Sequence, residues 1–183
     1  QECEGEFRNA TISRTSTGKY FVSIVIEDNK KVPTTAPIIE STSVGIDVGI
    51  KTFAVLSDGQ EIENHKFLKN SLKRIKVLQK RASKKVNKNS NNRKKSNKKI
   101  ALLHEKITNQ RKDFLHKTST AIIKQYDTVI VEDLNIKGMV QNHKLAQAIS
   151  DISWNNFYVM LKYKANKYGK NYIEIDRFFP SSK

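Results

Sequence analysis

The feature that most constrains this sequence is the segment 44–51, an apolar run of strand length that carries a single carboxylate, Asp47. Glycines lie two residues to either side of Asp47, and the β-rich run 52–57 that follows stops at an Asp-Gly pair. Asp-Gly after such a run is a strong hairpin signal. The pattern predicts a strand, a tight turn near Gly49 and a second antiparallel strand, with residues 60–67 returning as a third.

Asp47 is the first candidate functional residue. A charged side chain within a strand is costly to bury unless a partner compensates it. The sequence predicts a partly buried Asp47 with no basic residue nearer than Lys51, which suggests a ligand for a hard cation. The alternative is an aspartate that caps or braces a neighbouring loop, and the segment by itself leaves both interpretations open.

The charge balance points to a polyanionic partner. The 183 residues contain 34 Lys+Arg against 18 Asp+Glu, a formal net charge of +16 at pH 7. A positive surplus of this size favours nucleic acid as the polyanionic partner. A single cysteine, Cys3, excludes internal disulfides and a cysteine-built zinc site, and the four histidines show no metal-ligand spacing. No apolar run approaches the roughly 20 residues needed to span a bilayer, so we expect no membrane partner.

The N-terminal part is predicted to be β-rich. Residues 7–13 and 19–27 are two β-type runs around a turn that contains Gly18, which predicts a hairpin. Residues 28–43 are polar and contain two prolines, which is typical of a linker. We therefore assign residues 1–43 to the last strands of a β-rich domain plus a linker, and residues 44–183 to a second domain.

A basic tract follows the first strands. Residues 66–99 contain 15 Lys+Arg and no acid, while apolar residues recur every three or four positions in the first half and again after residue 100. This predicts a helical hairpin, inserted at about 66–113. The alternative is that these basic residues simply form a solvated helix face. Unpaired like charges repel along a helix, however, and an anionic partner relieves that repulsion, which favours phosphate binding. The predicted nucleic-acid-binding residues are Lys84, Lys85, Arg93, Lys94, Lys95, Arg111 and Lys117.

The apolar run 128–131 ends in Glu132-Asp133. Its uninterrupted hydrophobicity predicts a central parallel strand covered on both faces, with carboxylates at its C-terminal end. If this strand is a parallel neighbour of the Asp47 strand, Asp47 and Glu132 can share Mg²⁺ or Mn²⁺. Neighbouring residues of a strand point to opposite faces, so only one of Glu132 and Asp133 is a ligand, and spacing does not say which.

The C-terminal part predicts a helix and a strand. Ser153 is the predicted N-cap of a helix that carries Trp154 and Phe157 and is closed by Gly169. We expect both aromatic residues in the core rather than as stacking platforms for bases. A last strand is predicted over residues 171–176.

Four ordered motifs resemble the TnpB (OrfB) family of insertion-sequence proteins, which are related to type V CRISPR effectors. They are Val-Gly-Ile-Asp-Val-Gly-Ile-Lys at 44–51, Asn-Gln-Arg-Lys-Asp-Phe-Leu-His-Lys at 109–117, Val-Glu-Asp-Leu-Asn at 131–135 and Phe-Phe-Pro-Ser-Ser-Lys at 178–183. The resemblance implies a RuvC-like domain of RNase H fold with a basic helical insertion, preceded by the end of a β-barrel (wedge-like) domain. It also implies that Asp47 and Glu132 are the first two catalytic acids, and that Asp133 is a structural neighbour.

The resemblance further implies a Mg²⁺-dependent, RNA-guided DNA endonuclease of the prokaryotic cytoplasm and nucleoid, with DNA and guide RNA as partners. In the family, a zinc ribbon and a third catalytic Asp follow the Phe-Phe-Pro-Ser-Ser-Lys motif, whereas this sequence stops at Lys183. We therefore expect an incomplete nuclease domain that binds nucleic acid without cutting it, and no zinc site. The alternatives are a binding module without catalysis and, much less favoured because glycine-rich loops are few, an actin-like ATPase.

Overall fold

The computed structural model describes residues 5–28, 31–85, 87, 89–135, 138–139, 141 and 143–176. The chain forms two compact units, Gln1–Lys31 with Ser71–Thr108 and Val32–Asn70 with Asn109–Lys183. The predicted boundary near residue 43 is not tested by this division and stays a prediction. The predicted motif at 178–183 lies outside the described residues. Across the described part of the chain, no helix is long and apolar enough to cross a membrane.

The first unit contains a two-stranded ribbon. Strands β1 (Glu6–Arg14) and β2 (Tyr20–Glu27) pair antiparallel, which confirms the predicted hairpin. Its turn contains Gly18 at φ +90°, a backbone conformation that glycine adopts without steric cost. Every residue of β1 is exposed.

Two long helices follow, α1 (Phe67–Ser83) and α2 (Asn91–Gln125), and α2 is continuous over 35 residues. Their residues 71–108 belong to the first unit and form what we call the helical hairpin. The turn between them is held by its own polar groups: the Lys85 ammonium donates to the Asn92 carbonyl at 2.9 Å and to the Ser96 hydroxyl at 2.6 Å. Ile75, Ala82, Leu103 and Ile107 are buried, at the apolar spacing that predicted the helices.

The ribbon turn and α2 are joined by Glu105, within the first unit. The Thr17 hydroxyl donates to the Glu105 carboxylate at 3.1 Å, and the Lys19 ammonium lies 3.2 Å from it. Thr17 is buried as a result. Sequence periodicity gave no sign of this contact, because it joins positions 88 residues apart.

The second unit is built on a mixed sheet of five strands, β3 (Ser43–Val48), β4 (Thr52–Leu56), β5 (Glu61–Glu63), β6 (Thr128–Glu132) and β7 (Asn171–Ile175). Their order is β5-β4-β3-β6-β7. The pairs β3–β4 and β4–β5 are antiparallel, and the pairs β3–β6 and β6–β7 are parallel. The mixed α/β class and the parallel placement of β6 beside β3 are therefore confirmed.

Helices α3 (His143–Ile152) and α4 (Trp154–Lys167) follow β6. Trp154 and Phe157 are buried in the core, as predicted, and Gly169 ends the helix at φ +63°. Ser153 precedes α4 but its side chain does not cap it. The Ser153 backbone is in the left-handed helical region, at φ +61°, and its hydroxyl donates to the Ser150 carbonyl at 3.1 Å. The prediction missed α3. It therefore treated Ser153 as the start of an isolated helix, whereas Ser153 is the junction between α3 and α4.

The two faces of the sheet differ. Val44, Ile46, Val129 and Val131 are buried in the core cluster that contains Leu115, Phe157 and Leu161. The opposite face carries Asp47, which is exposed, and Ile130 and Glu132, which are partly exposed. The predictions that β6 is covered on both faces and that Asp47 is partly buried are therefore wrong. An apolar run reports the average burial of a strand, whereas the packing of each face depends on which elements the chain folds onto it.

Candidate active site and nucleic-acid interface

The register between β3 and β6 brings the two predicted acids together. In this parallel pair, Gly45 lies opposite Ile130 and Ile46 lies opposite Val131. The next position on each strand is Asp47 and Glu132. Facing positions of paired strands project to the same side of a sheet, so the two carboxylates lie side by side on the less covered face. The sequence could not fix this register, since 85 residues separate the two positions.

Asp47 and Glu132 line a common groove of about 590 Å³. Its apolar lining includes Val55, Ile130 and Ile175. Ser57 lines it as well, and its hydroxyl accepts a hydrogen bond from the Gly45 amide at 3.0 Å. A Cβ at Gly45 would meet Ser57 at 3.6 Å, an ordinary contact, so close packing does not explain this glycine.

The tight turn after β3 depends on Gly49. A Cβ at this position would lie 3.0 Å from the Thr52 carbonyl oxygen, a spacing that few side chains tolerate. The Gly49 amide donates to the Phe53 carbonyl at 3.2 Å and closes the turn. The turn directs β4 back along β3, so that Val55 lies opposite Asp47.

The donor set suits a hard divalent cation with few protein ligands. Carboxylate oxygens are the side-chain ligands of Mg²⁺, which keeps several waters when bound. No basic side chain of a described residue forms an ion pair with Asp47 or Glu132. No group of three or more His, Cys, Asp or Glu with metal-binding geometry occurs within the described ranges. The groove therefore offers two carboxylates to a cation.

Asp133 lies in a different cavity. It lines a smaller pocket of about 210 Å³ between the strand ends and α4, together with Tyr158, Tyr172 and Glu174. Its backbone amide donates to the Ile175 carbonyl at 2.9 Å. Glu132 borders both spaces, whereas Asp133 does not line the groove of Asp47. This placement favours Glu132 over Asp133 as the partner of Asp47, and the assignment stays a prediction.

Tyr158 is a neighbour of the site that the sequence did not single out. Its hydroxyl is buried and has no hydrogen-bond partner among the described residues. Burial raises the pKa of Tyr158 above the ordinary tyrosine value, and the nearby charges of Glu132 and then Asp47 raise this pKa further. The hydroxyl therefore remains protonated at neutral pH and is available as a hydrogen-bond donor in the pocket that Tyr158 shares with Glu132.

The predicted phosphate-binding residues around the hairpin turn fall into two groups. Lys84, Lys94 and Lys95 are exposed. Lys85 and Arg93 are partly buried and bond the turn itself, since the Arg93 guanidinium donates to the Lys85 carbonyl at 2.7 Å. The first three side chains are free to meet a polyanion, whereas the other two would have to leave existing hydrogen bonds.

Arg111 and Lys117 lie on α2 within the second unit. Arg111 forms an ion pair with Asp151 at 2.8 Å, and both side chains are largely buried. Asp151 also accepts the amides of Leu68 and Lys69, the first turn of α1, and so acts as a cap from a distant helix. Lys117 is exposed and pairs with Asp113 at 2.8 Å. The nucleic-acid role of Arg111 and Lys117 stays a prediction.

Lys164 is a basic residue that the second unit buries. Only 6% of its surface is exposed, and its ammonium donates to the His116 carbonyl and to the hydroxyls of Ser119 and Thr120 at 2.7–2.8 Å. Burial lowers the pKa of Lys164 below the ordinary lysine value. Its position on α4 allowed no such prediction, because its three acceptors lie on α2.

Comparison with known proteins places the chain in a family. The profile of the OrfB_IS605 family, described as "Probable transposase", matches residues 23–143. A Streptomyces pristinaespiralis protein named "Putative RNA-guided DNA endonuclease" is 43% identical over 173 residues, covering 94% of this chain and 42% of that protein. InsQ of Escherichia coli K12, with the same description, is 36% identical over 139 residues, covering 76% of this chain and 33% of its own length.

Two more distant proteins are also similar. The TnpB-like protein L79 of Acanthamoeba polyphaga mimivirus is 25% identical over 152 residues and is covered over 29% of its length. A chain of a CRISPR-Cas12f ternary complex superposes with a TM-score of 0.49 at 20% identity, over 92% of this chain and 35% of that chain. The chain thus spans less than half the length of these relatives. The match to the family profile shows that the chain belongs to the OrfB_IS605 (TnpB/OrfB) transposase family.

Proposed function

We propose that this chain supplies the nucleic-acid-binding surface and two of the catalytic acids of a TnpB-type RNA-guided DNA endonuclease. Its second unit would be a RuvC-like domain of RNase H fold, with Asp47 and Glu132 as ligands of Mg²⁺ or Mn²⁺. DNA and guide RNA would be the partners, at the bacterial nucleoid. The names of the relatives support the activity, and their greater length makes it a property proposed for the whole protein.

The observation that carries this proposal is the adjacency of Asp47 and Glu132. They end neighbouring parallel strands in one register, on the same face of the sheet, and line the same groove. Two carboxylates in this arrangement can hold a divalent cation while they leave coordination positions for a phosphodiester oxygen. When bound, the metal would activate water and stabilise the leaving oxygen of a phosphodiester.

The chain's own groups have distinct tasks in this proposal. Asp47 and Glu132 hold the cation, and Val55 and Ile175 form an apolar wall of the groove. Tyr158 lines a pocket with Glu132, and a shift of either side chain would let its hydroxyl donate a hydrogen bond to the Glu132 carboxylate. The exposed lysines of the helical hairpin hold the nucleic-acid backbone, which does not require the metal.

A Mn²⁺ titration tests the site. We expect the 183-residue chain to bind Mn²⁺ measurably, with weaker binding in both Asp47→Asn and Glu132→Gln, because one carboxylate holds the ion poorly. Asp133→Asn is the matched control and is expected to bind like the parent. Equal affinity in all variants would refute the shared site, and an effect of Asp133→Asn with none of Glu132→Gln would show that Asp133, and not Glu132, is the partner of Asp47.

A binding module without catalysis is the second candidate function. It is favoured by the lining of the groove, which among the described residues contains two carboxylates, Asp47 and Glu132, and no third. Cleavage needs both metal ions held in place, and a misplacement of about 1 Å can cost roughly 100-fold in rate. We expect the chain to bind single-stranded DNA without cutting it. Metal-dependent nicking that disappears in Asp47→Ala would exclude this candidate and establish catalysis by the chain itself.

A further inference from the structure

The helical hairpin carries one pattern twice. On α1, Arg74, Val77, Leu78 and Arg81 lie at positions i, i+3, i+4 and i+7, which share one face of a helix. On α2 the same order of basic, apolar, apolar and basic recurs at Lys99, Leu102, Leu103 and Lys106. These two faces meet. All eight side chains line one groove of about 630 Å³ within the first unit.

The groove has an apolar floor between two basic ends. Val77 and Leu102 form the open part of the floor and are 45% and 44% exposed. The helices fold back at the turn between them, so Arg81 and Lys99 lie at the turn end, and Arg74 and Lys106 lie at the other end. The two ends are about seven residues apart along each helix, which is about 10 Å at 1.5 Å per residue.

We call Arg74, Arg81, Lys99 and Lys106, the basic residues at the two ends of the groove, its rim residues. Each of these side chains is exposed, and none forms an ion pair with a described residue. Glu105, the acid nearest to them in sequence, faces the ribbon turn, where it binds Thr17 and Lys19. The groove therefore combines uncompensated positive charge with apolar surface that water still covers.

We propose that this groove binds a single-stranded stretch of nucleic acid, with unstacked bases on the apolar floor and phosphates at the two basic ends. The inference rests on the proposed function and adds that the bound nucleic acid is single-stranded and lies in this groove. Single strands can turn their bases toward a protein surface while their backbone follows a positive groove. Covering the faces of Val77 and Leu102 removes apolar area from water, which stabilises the complex.

The charge around the groove favours this occupant over two others. A duplex presents phosphates but keeps its bases stacked inside, so Val77 and Leu102 would stay exposed to water. An acidic amphipathic peptide could fill the groove, but the basic residues continue beyond it along both helices, from 66 to 99 with no acid. A surface of that extent fits a longer polyanion, of which the groove holds one segment.

The test compares probes that differ only in their bases. Binding of the full chain is measured by fluorescence anisotropy with a labelled single-stranded RNA, the equivalent single-stranded DNA, the same RNA backbone with abasic positions, and a duplex. The floor variant is Val77→Ser with Leu102→Ser, at exposed positions that the core does not need. The rim variant is Arg81→Gln with Lys99→Gln. Its control, Lys124→Gln with Lys167→Gln, removes the same charge from exposed positions of the second unit.

We expect intact single strands to bind the parent chain about five- to tenfold more tightly than the abasic strand, from the apolar area covered. The floor variant should lose this preference and keep its affinity for the abasic strand and the duplex. The rim variant should weaken binding of both intact single strands more than the control does. A preference for RNA over DNA or the reverse would identify which strand the groove serves, and either supports the proposal.

Other results would overturn it. Equal affinity of the parent for intact and abasic strands would show that bases do not touch the floor. A duplex that binds more tightly than either single strand, with the floor variant unchanged, would assign the hairpin to duplex backbone. Displacement of the nucleic acid by an acidic amphipathic peptide from the parent but not from the floor variant would assign the groove to a protein. Absence of binding to every probe would reject the proposed function together with the groove.

Discussion

The second unit draws basic side chains into its fold, whereas the helical hairpin of the first unit leaves rows of them in solvent. In the second unit, Arg111 pairs with a buried Asp151, Lys164 is held by three oxygens of α2, and Lys170 pairs with Asp127. In the first unit, the rim residues Arg74, Arg81, Lys99 and Lys106 are exposed and unpaired among the described residues.

The difference teaches how to interpret a large positive charge. A basic residue near acids and helix ends is used to connect elements, and its replacement should destabilise the fold. An exposed basic residue in a stretch without acids has no ion pair to gain on folding, and its basic neighbours repel it. Such residues are explained by a partner that the fold itself does not contain.

Asp151→Ala should have the largest effect. The substitution leaves the largely buried Arg111 guanidinium without its partner and removes the acceptor of the Leu68 and Lys69 amides. Removal of one partner of a buried pair costs about 3–5 kcal/mol. Chemical denaturation should show this loss. Lys117→Ala, which breaks an exposed pair with Asp113, is the control and should cost under about 1 kcal/mol. Equal effects would remove the distinction between connecting and exposed basic residues.

Glu105→Ala should have the next largest effect, because Glu105 joins the ribbon turn to α2 within the first unit. The substitution removes the Glu105 acceptor of the buried Thr17 hydroxyl, which keeps only its hydrogen bond with the Thr15 hydroxyl, at a cost of about 0.5–1.5 kcal/mol. Limited proteolysis should cut the ribbon turn faster in this variant. Glu105→Gln keeps an acceptor for Thr17 and should lie between the variant and the parent. Unchanged proteolysis in Glu105→Ala would contradict a structural role for this contact.

Tyr126→Phe should have a smaller effect that depends on pH. The Tyr126 hydroxyl donates a hydrogen bond to the Asp58 carboxylate, which lowers the pKa of Asp58 below its ordinary value of 3.8 and raises the pKa of Tyr126 above 10.0. The stabilisation is thus present between these two values. It is lost as pH falls through the lowered pKa of Asp58, or rises through the raised pKa of Tyr126.

The measurement is the Tm of parent and Tyr126→Phe across pH. The variant should melt lower than the parent at pH 7, and the two curves should converge below the lowered pKa of Asp58. Asp58→Asn should show the same loss of acid sensitivity. A constant difference at every pH would mean that the phenol stabilises by packing alone.

The exposed lysines of the turn should have the smallest effect on stability. Replacement of Lys84, Lys94 and Lys95 by Gln should leave the free energy of unfolding within about 0.5 kcal/mol of the parent. The same variant should bind unrelated nucleic acids more weakly, with the slope of log affinity against log salt reduced by about 0.7–0.9 for each phosphate that is no longer neutralised. Lower affinity for one sequence only, or an unchanged slope, would mean that these lysines do not contact phosphates.

The sequence predicted the elements whose periodicity is local. The ribbon, β3, β4, β6, β7, the two long helices and the core positions of Trp154 and Phe157 could all be inferred from alternation, helical spacing and turn residues. Family motifs then supplied Asp47 and Glu132 as a pair. The pattern of basic and apolar residues on α1 and α2 was also readable, since positions i, i+3, i+4 and i+7 share a helix face whatever the fold.

Helix α3 and the junction at Ser153 could not be inferred in this way. Ser153 carries the residue type of an N-cap, but the preceding helix α3 fixes its backbone in a left-handed conformation and directs its hydroxyl to Ser150. Side-chain preference describes an isolated helix start, and it fails where another helix ends at the same residue.

Long-range contacts were decided only by the tertiary structure. The register that places Asp47 beside Glu132 depends on hydrogen bonds between strands 85 residues apart, and a shift by one residue would point one carboxylate to the other face. The same holds for Glu105 with Thr17, Asp151 with Arg111, and Lys164 with α2. The sequence determined which chemical groups the chain carries and which helix or strand face each one shares. The fold decided which of the charges are neutralised inside the protein and which stay available to a partner, because pairing depends on distances that local sequence does not encode.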